Sequence, residues 1–127
     1  MALTTAARNF IAQALINDSS PAFFDNTNAR IGVGDSADAF DAADTDLQAV
    51  TNKIRKGMEA TYPQLATNVL TFRSVFTTGE ANFVWNEWAV FNAATAGVMV
   101  NRKVENLGTK TSASTWQLSV TLTVTAA

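Results

Sequence analysis

The side chains best suited to chemistry in this sequence are carboxylates. Asp35, Asp38, Asp41, Asp44 and Asp46 fall in one short stretch, separated mainly by alanines and Phe40. Oxygen ligands at such density can hold a hard divalent cation such as calcium, but the spacing is not that of an EF-hand loop and the required glycine is missing. A solvated acidic loop with local Asx turns accounts for the same residues. Paired carboxylates can also share the acid and base roles of glycoside hydrolysis, and Asp41 with Glu87 is the pair to weigh. No aromatic sugar platform accompanies the aspartates. Glu87 stands among large apolar side chains, where Arg73 or Arg102 would pair with it across a sheet.

Two further patterns have simpler explanations than chemistry. Gly32-Val33-Gly34 carries no further part of a dinucleotide or P-loop fingerprint, and no helix of suitable pattern follows it. Close backbone approach or a bulge explains these glycines better. Lys53, Arg55 and Lys56 are close together, yet three charges read as a solvated turn before they read as a phosphate site. The chain has no cysteine and no histidine. It therefore has no thiolate nucleophile, no imidazole base, no disulfide framework and no imidazole or thiolate metal ligand, which excludes most familiar hydrolase and transferase mechanisms. No catalytic, cofactor-binding or metal-binding residue is assigned, no cofactor is expected, and the protein is expected not to be an enzyme.

The net charge of −2 and a low charged fraction of 16% argue against nucleic acid as a partner, because duplex binding draws its affinity from clustered Lys and Arg. No apolar run is long enough to span a bilayer. The start, Met1-Ala2-Leu3-Thr4-Thr5, lacks the charged and apolar regions of a signal peptide. Neither a membrane nor an oxidising compartment is expected, and maturation in a cytoplasm is. At 127 residues with 47% apolar content, residues 1–127 are expected to form a single domain able to bury its own core.

The elements that position these groups are mostly strands. Trp116, Leu118, Val120, Leu122 and Val124 alternate with Gln117, Ser119, Thr121, Thr123 and Thr125, the period of a half-buried antiparallel strand with an uncharged hydroxyl face. Phe83 to Phe91 is apolar on both faces, Phe83, Trp85, Ala89 and Phe91 on one and Val84, Trp88 and Val90 on the other, which predicts a central strand. Asn28–Asp35, Asn68–Phe76 and Val98–Val104 read as further strands, and the last four strands as a meander. Asn106 to Ser114 reads as a polar connection. Leu47 to Met58 is ambiguous: Leu47, Val50, Ile54 and Met58 recur at three- and four-residue intervals, but Lys53 to Met58 could equally be extended, with a helix or irregular excursion slightly favoured. Ahead of the strands, apolar residues at three- and four-residue spacing from Thr4 to Ile16 predict a short amphipathic helix capped by Thr4 or Thr5. The fold class expected is mainly β: a small antiparallel β-sandwich or rolled sheet of at least five strands with one N-terminal helix, residues 1–27 forming helix and arm and 28–127 the body.

The succession Ile31-Gly32-Val33-Gly34-Asp35, Thr45-Asp46-Leu47, Trp85-Asn86-Glu87-Trp88-Ala89-Val90-Phe91-Asn92-Ala93, Asn101-Arg102-Lys103-Val104 and Leu107-Gly108-Thr109-Lys110-Thr111 resembles a family of small tailed-phage virion structural proteins, over roughly residues 28 to 125. More distantly it is similar to the attachment domains that begin phage tail-collar fibres, although no fibre shaft follows. The resemblance implies a non-enzymatic particle component located in the virion and assembled in the bacterial host cytoplasm. A capsid cement or decoration protein is the first reading, and a tail, neck or baseplate part acting as a fibre adaptor is the alternative. The partners implied are the phage major capsid protein or tail and baseplate proteins, together with further copies in a homo-oligomer. Phe23, Phe24, Trp85, Trp88 and Trp116 are the candidate interface residues, as the largest side chains able to bury area against a neighbour.

Overall fold

A computed structural model describes residues 2–126; Met1 and Ala127, the outer bounds of the domain expected from the sequence, lie outside the described residues. The protein is mainly β, with seven strands in two antiparallel sheets and one short N-terminal helix among the described residues, as the alternation predicts. In chain order the elements are α1 (Thr5–Leu15), β1 (Arg30–Gly34), β2 (Lys53–Gly57), β3 (Gln64–Ala66), β4 (Val69–Phe76), β5 (Val84–Phe91), β6 (Met99–Thr109) and β7 (Trp116–Thr123). One sheet has the order β2-β1-β5-β6 and the other β3-β4-β7. Between them lie Ile31, Val33, Phe72, Phe76, Trp85, Trp88, Val90 and Val120. The centre is aromatic, with the Trp85 ring edge-on to Phe76 at 4.9 Å and to Trp116 at 5.0 Å, a geometry that aromatic quadrupoles favour.

Three expectations are corrected. Of the alternatives for Leu47 to Met58 the helix does not form, and the extended one is realised over Lys53–Gly57 as β2, which pairs with β1 from Lys53 opposite Gly34 to Gly57 opposite Arg30. The segment's three- and four-residue spacing does not mark one face, because Leu47 is buried, Val50 is almost wholly exposed, and Ile54 and Met58 pack against the inter-sheet core. The last four strands are not a meander. β4 pairs with β3 and β7, whereas β5 pairs with β1 and β6, so the chain changes sheet after Phe76 and again after Thr109. A strand apolar on both faces must sit inside a sheet that is covered twice, and β5 does so between β1 and β6. Finally, Asn106 to Thr109 extends β6 and is not part of a polar connection.

A register shift against β6 between Trp85 and Glu87 also changes which residues share a face. From Trp85 to Glu87 β5 advances two residues while β6 advances four, from Gly108 to Val104, and the regular alternation is broken there. Trp85 therefore joins Trp88 and Val90 in the core between the sheets, while Ala89 and Phe91 join Leu47 and Met99 in a second cluster on the opposite face. That outer face would be solvated in a simple sandwich. Here the connection between β1 and β2 crosses it.

α1 starts as its sequence dictates. The Thr4 hydroxyl accepts from the Ala7 N–H at 3.0 Å and donates to the Met99 carbonyl at 2.5 Å, capping the helix and tying it to β6 in one contact. Ala7 is buried beneath the helix, and Phe10 meets Phe24 edge-to-face at 5.2 Å.

Candidate functional site

Two regions concentrate the side chains with functional potential, one charged and buried and the other apolar and open. The charged region is built where the β1–β2 connection straps the outer face of the larger sheet. Glu87 and the side chain of Arg102 are wholly buried there, joined through Nε and Oε2 at 2.5 Å, with Asp44 at 3.6 Å from the same guanidinium. Glu87 also accepts from the backbone N–H groups of Gln48 at 3.0 Å and Ala49 at 2.9 Å. The carboxylate thus binds the strap to the sheet. The sequence pointed to Arg73 or Arg102 as its partner. Arg102 takes the role, while Arg73 donates to the Ser119 hydroxyl on the other sheet.

The glycines make the close approach possible. A side chain at Gly32 would meet the Phe91 ring at 2.8 Å and Leu47 at 3.0 Å, and one at Gly34 would run into the Glu87 carboxylate and meet Ala49 at 3.1 Å. Gly32-Val33-Gly34 is therefore a packing signature, with each glycine leaving room for the strap.

The aspartates divide along the strap. Asp41 makes the expected Asx turn, its carboxylate accepting from the Ala43 N–H, and Asp44 accepts from the Asp41 N–H. The expectation of a solvated acidic loop is corrected beyond that point, since Asp44 pairs with buried Arg102 and Asp46 with Lys53 at 3.0 Å and Arg55 at 3.1 Å. Partial burial would by itself raise the Asp46 carboxyl, but hydrogen bonds from Lys53, Arg55 and the Leu47 N–H outweigh it and hold the group below its ordinary range. Lys53 and Arg55 are accordingly spent on the strap and its surroundings. Arg55 lies over the Phe91 ring at 3.5 Å and donates to the carbonyls of Ala93 and Ala96. Lys56 instead grips Glu80 at 2.7 Å; with the Thr77 N–H and hydroxyl also donating, Glu80 is lowered to about 2. Asp41 and Glu87 are not brought together by any shared contact, and among the described residues no group of three or more acidic side chains could hold a metal ion.

The apolar region lies at the end of the sandwich where α1 crosses. A groove of about 240 Å³, lined by apolar side chains, runs between the helix residues Ala7, Phe10 and Ile11 and the sheet residues Leu70, Phe72 and Leu122, with Val124 just past the end of β7. Its surroundings stay apolar. Leu15, the last residue of the helix, and Ile16, its C-cap, are 82% and 78% exposed, and Val124 is 65% exposed at the groove wall. Exposed apolar side chains from both ends of the chain thus stand at or near the groove.

The five candidate interface residues are scattered over the fold. Phe23 is exposed; Phe24 is half-buried against Phe10; Trp85 and Trp88 are buried between the sheets, with the Trp88 indole N–H donating to Glu105; and Trp116 is half-buried on Trp85. The open apolar surface is made instead by smaller side chains, and the exposed aliphatic residues Leu15 and Ile16 already stand at the end of the predicted helix in the sequence. No protein-family model matches the chain, and a comparison with curated proteins gives no match.

Proposed function

We propose that this chain is a tailed-phage virion structural protein, a capsid decoration protein that stabilises the head by contacts between its own copies and the capsid lattice and performs no chemistry. The observation that carries the reading is the apolar groove beneath α1, with Ile11 and Val124 exposed in its lining and Leu15 exposed one helical turn beyond Ile11. A single chain leaves this surface wet, and burying it against a neighbour supplies the adhesion a shell component needs. Two further features support the role. On the outer face of the smaller sheet β7 presents Gln117, Ser119, Thr121 and Thr123 to solvent and carries no charge of its own, Arg73 of β4 being held on the Ser119 hydroxyl, and the strap fastened at Glu87 and Arg102 stiffens the opposite face against deformation.

The test is made on particles. Phage heads lacking the protein should break at lower temperature or under milder osmotic shock, and adding back purified protein should restore them, whereas the Leu15→Asp chain should not. The protein should be present at the copy number of the capsid lattice. Heads of unchanged stability, with infectivity lost and only a few copies per particle, would overturn the capsid role and move the protein to the tail, neck or baseplate.

A further inference from the structure

β7 is the outer strand of the smaller sheet. It pairs with β4 along one side, and among the described residues no backbone hydrogen bond joins its other edge to the rest of the chain. An open row of N–H and C=O groups recruits further strands, so natural sheets guard their edges with charge, proline, bulges or shortness. The other three edges of this fold are guarded. β2 carries Lys53, Arg55 and Lys56; β6 carries Arg102, Lys103 and Glu105 and is interrupted by register shifts; β3 is three residues long. β7 has eight residues, no charge, no proline and an unbroken register against β4.

The open edge also adjoins the apolar groove, of which Leu122 of β7 and Val124 just past its end form one wall. A strand added beside β7 would continue the sheet and set alternate side chains towards the mouth of that groove. Edge and groove are thus two parts of one surface.

The geometry points to a second copy of this chain as the occupant, the two β7 strands pairing antiparallel about a two-fold axis at Val120. Pairing centred on a residue sets Leu118 beside the second copy's Leu122 on the inner face and Thr121 beside the second copy's Ser119 on the outer. Apolar groups then meet apolar groups, and hydroxyls meet hydroxyls. A slip of one residue would set each against the other. Because β7 carries no charge, self-pairing brings no like charges together, and cross-strand hydroxyl pairs are favourable. The two-fold axis stands across the sheet, so both helices and both grooves lie on the same side of one continuous sheet, and the contact closes on itself as a dimer. The inference deepens the oligomeric part of the function proposed above and rests on it, but its test needs no particle.

Sedimentation of the full chain should show a dimer that dissociates on dilution. Thr121 is exposed and points away from the core, so Thr121→Lys and Thr121→Glu can be made without disturbing packing, as an unchanged circular dichroism spectrum would verify. Each variant sets like charges diagonally across the two-fold axis and should weaken the dimer by about fivefold or more. Mixed in equal amounts, the two variants should recover association, an outcome that a purely structural effect of either substitution could not produce. A wild-type chain that stays monomeric at every concentration overturns the inference, as does a dimer indifferent to both substitutions. If the chain alone is monomeric and Thr121→Lys abolishes binding to phage heads, the edge accepts a strand from another protein and self-pairing is refuted. A dimer behaving as expected but with no affinity for phage heads would leave this inference standing and remove the capsid reading.

Discussion

Replacing Glu87 by Gln changes almost no volume, yet it should be among the most destabilising substitutions in the protein. The carboxylate receives three donors in a fully buried site: Arg102 Nε at 2.5 Å and the backbone N–H groups of Gln48 and Ala49. An amide has one oxygen, so its NH₂ must face at least one of these donors. The Arg102 guanidinium would keep only Asp44 at 3.6 Å as a counter-charge, and its two terminal nitrogens have no hydrogen bond to replace the loss. Breaking one partner of a buried ion pair costs about 3–5 kcal/mol. Spread over a domain of this size, that is a fall in Tm of about 12–20 °C. The assay is urea unfolding followed by tryptophan fluorescence, since Trp85 and Trp88 sit on the strand that carries Glu87. Hydrogen exchange adds a local readout, because the Gln48 and Ala49 amides should lose protection before the amides of β1. The double variant Glu87→Gln/Arg102→Met should lose less than the sum of its single variants, since the stranded charge is gone. A loss below about 1 kcal/mol for Glu87→Gln, the scale of an exposed ion pair, would refute the view that this contact fastens the strap.

Two further perturbations test the same construction. Gly34→Ala puts a methyl group into the Glu87 carboxylate and against Ala49, and should cost about 1–3 kcal/mol by overpacking; a substitution that proves neutral in urea unfolding would show that the strap can lift at no cost. The pH dependence should follow Glu80, whose folded-state pKa of about 2 lies below its ordinary value of 4.5. A depressed carboxylate stabilises above its unfolded pKa and loses that contribution as pH falls through the folded value, so the stability gap between wild type and Glu80→Gln should be full above pH 4.5 and close towards pH 2. A gap that stays constant over that range would exclude the Lys56 and Thr77 contacts as its source.

The candidate sites were legible in the sequence to different depths. The pairing of Glu87 with an arginine across the sheet was legible from a charged residue set among apolar neighbours, and close backbone approach was legible from Gly32 and Gly34. What the carboxylate does was not. Its donors include the amides of Gln48 and Ala49, groups every residue carries, so no side-chain pattern announces them. The groove was hidden for a related reason: Phe10, Leu70 and Leu122 each read as ordinary core positions of their own elements, and only their convergence leaves an unfilled space.

By itself the sequence determined the element types. The alternation from Trp116 to Thr123 and the Thr4 cap with its three- and four-residue apolar spacing are local patterns, and local sterics and periodicity suffice to realise them. Tertiary structure decided which strands became neighbours, that a break in the pairing of β5 with β6 between Trp85 and Glu87 would leave both Trp85 and Trp88 inward, and that the acidic segment would be a strap. The physical reason is that periodicity encodes which face of a strand is apolar but not what will cover it. That choice belongs to contacts between residues far apart in the chain, such as Glu87 with Ala49, whose energies exist only once the sheets have assembled.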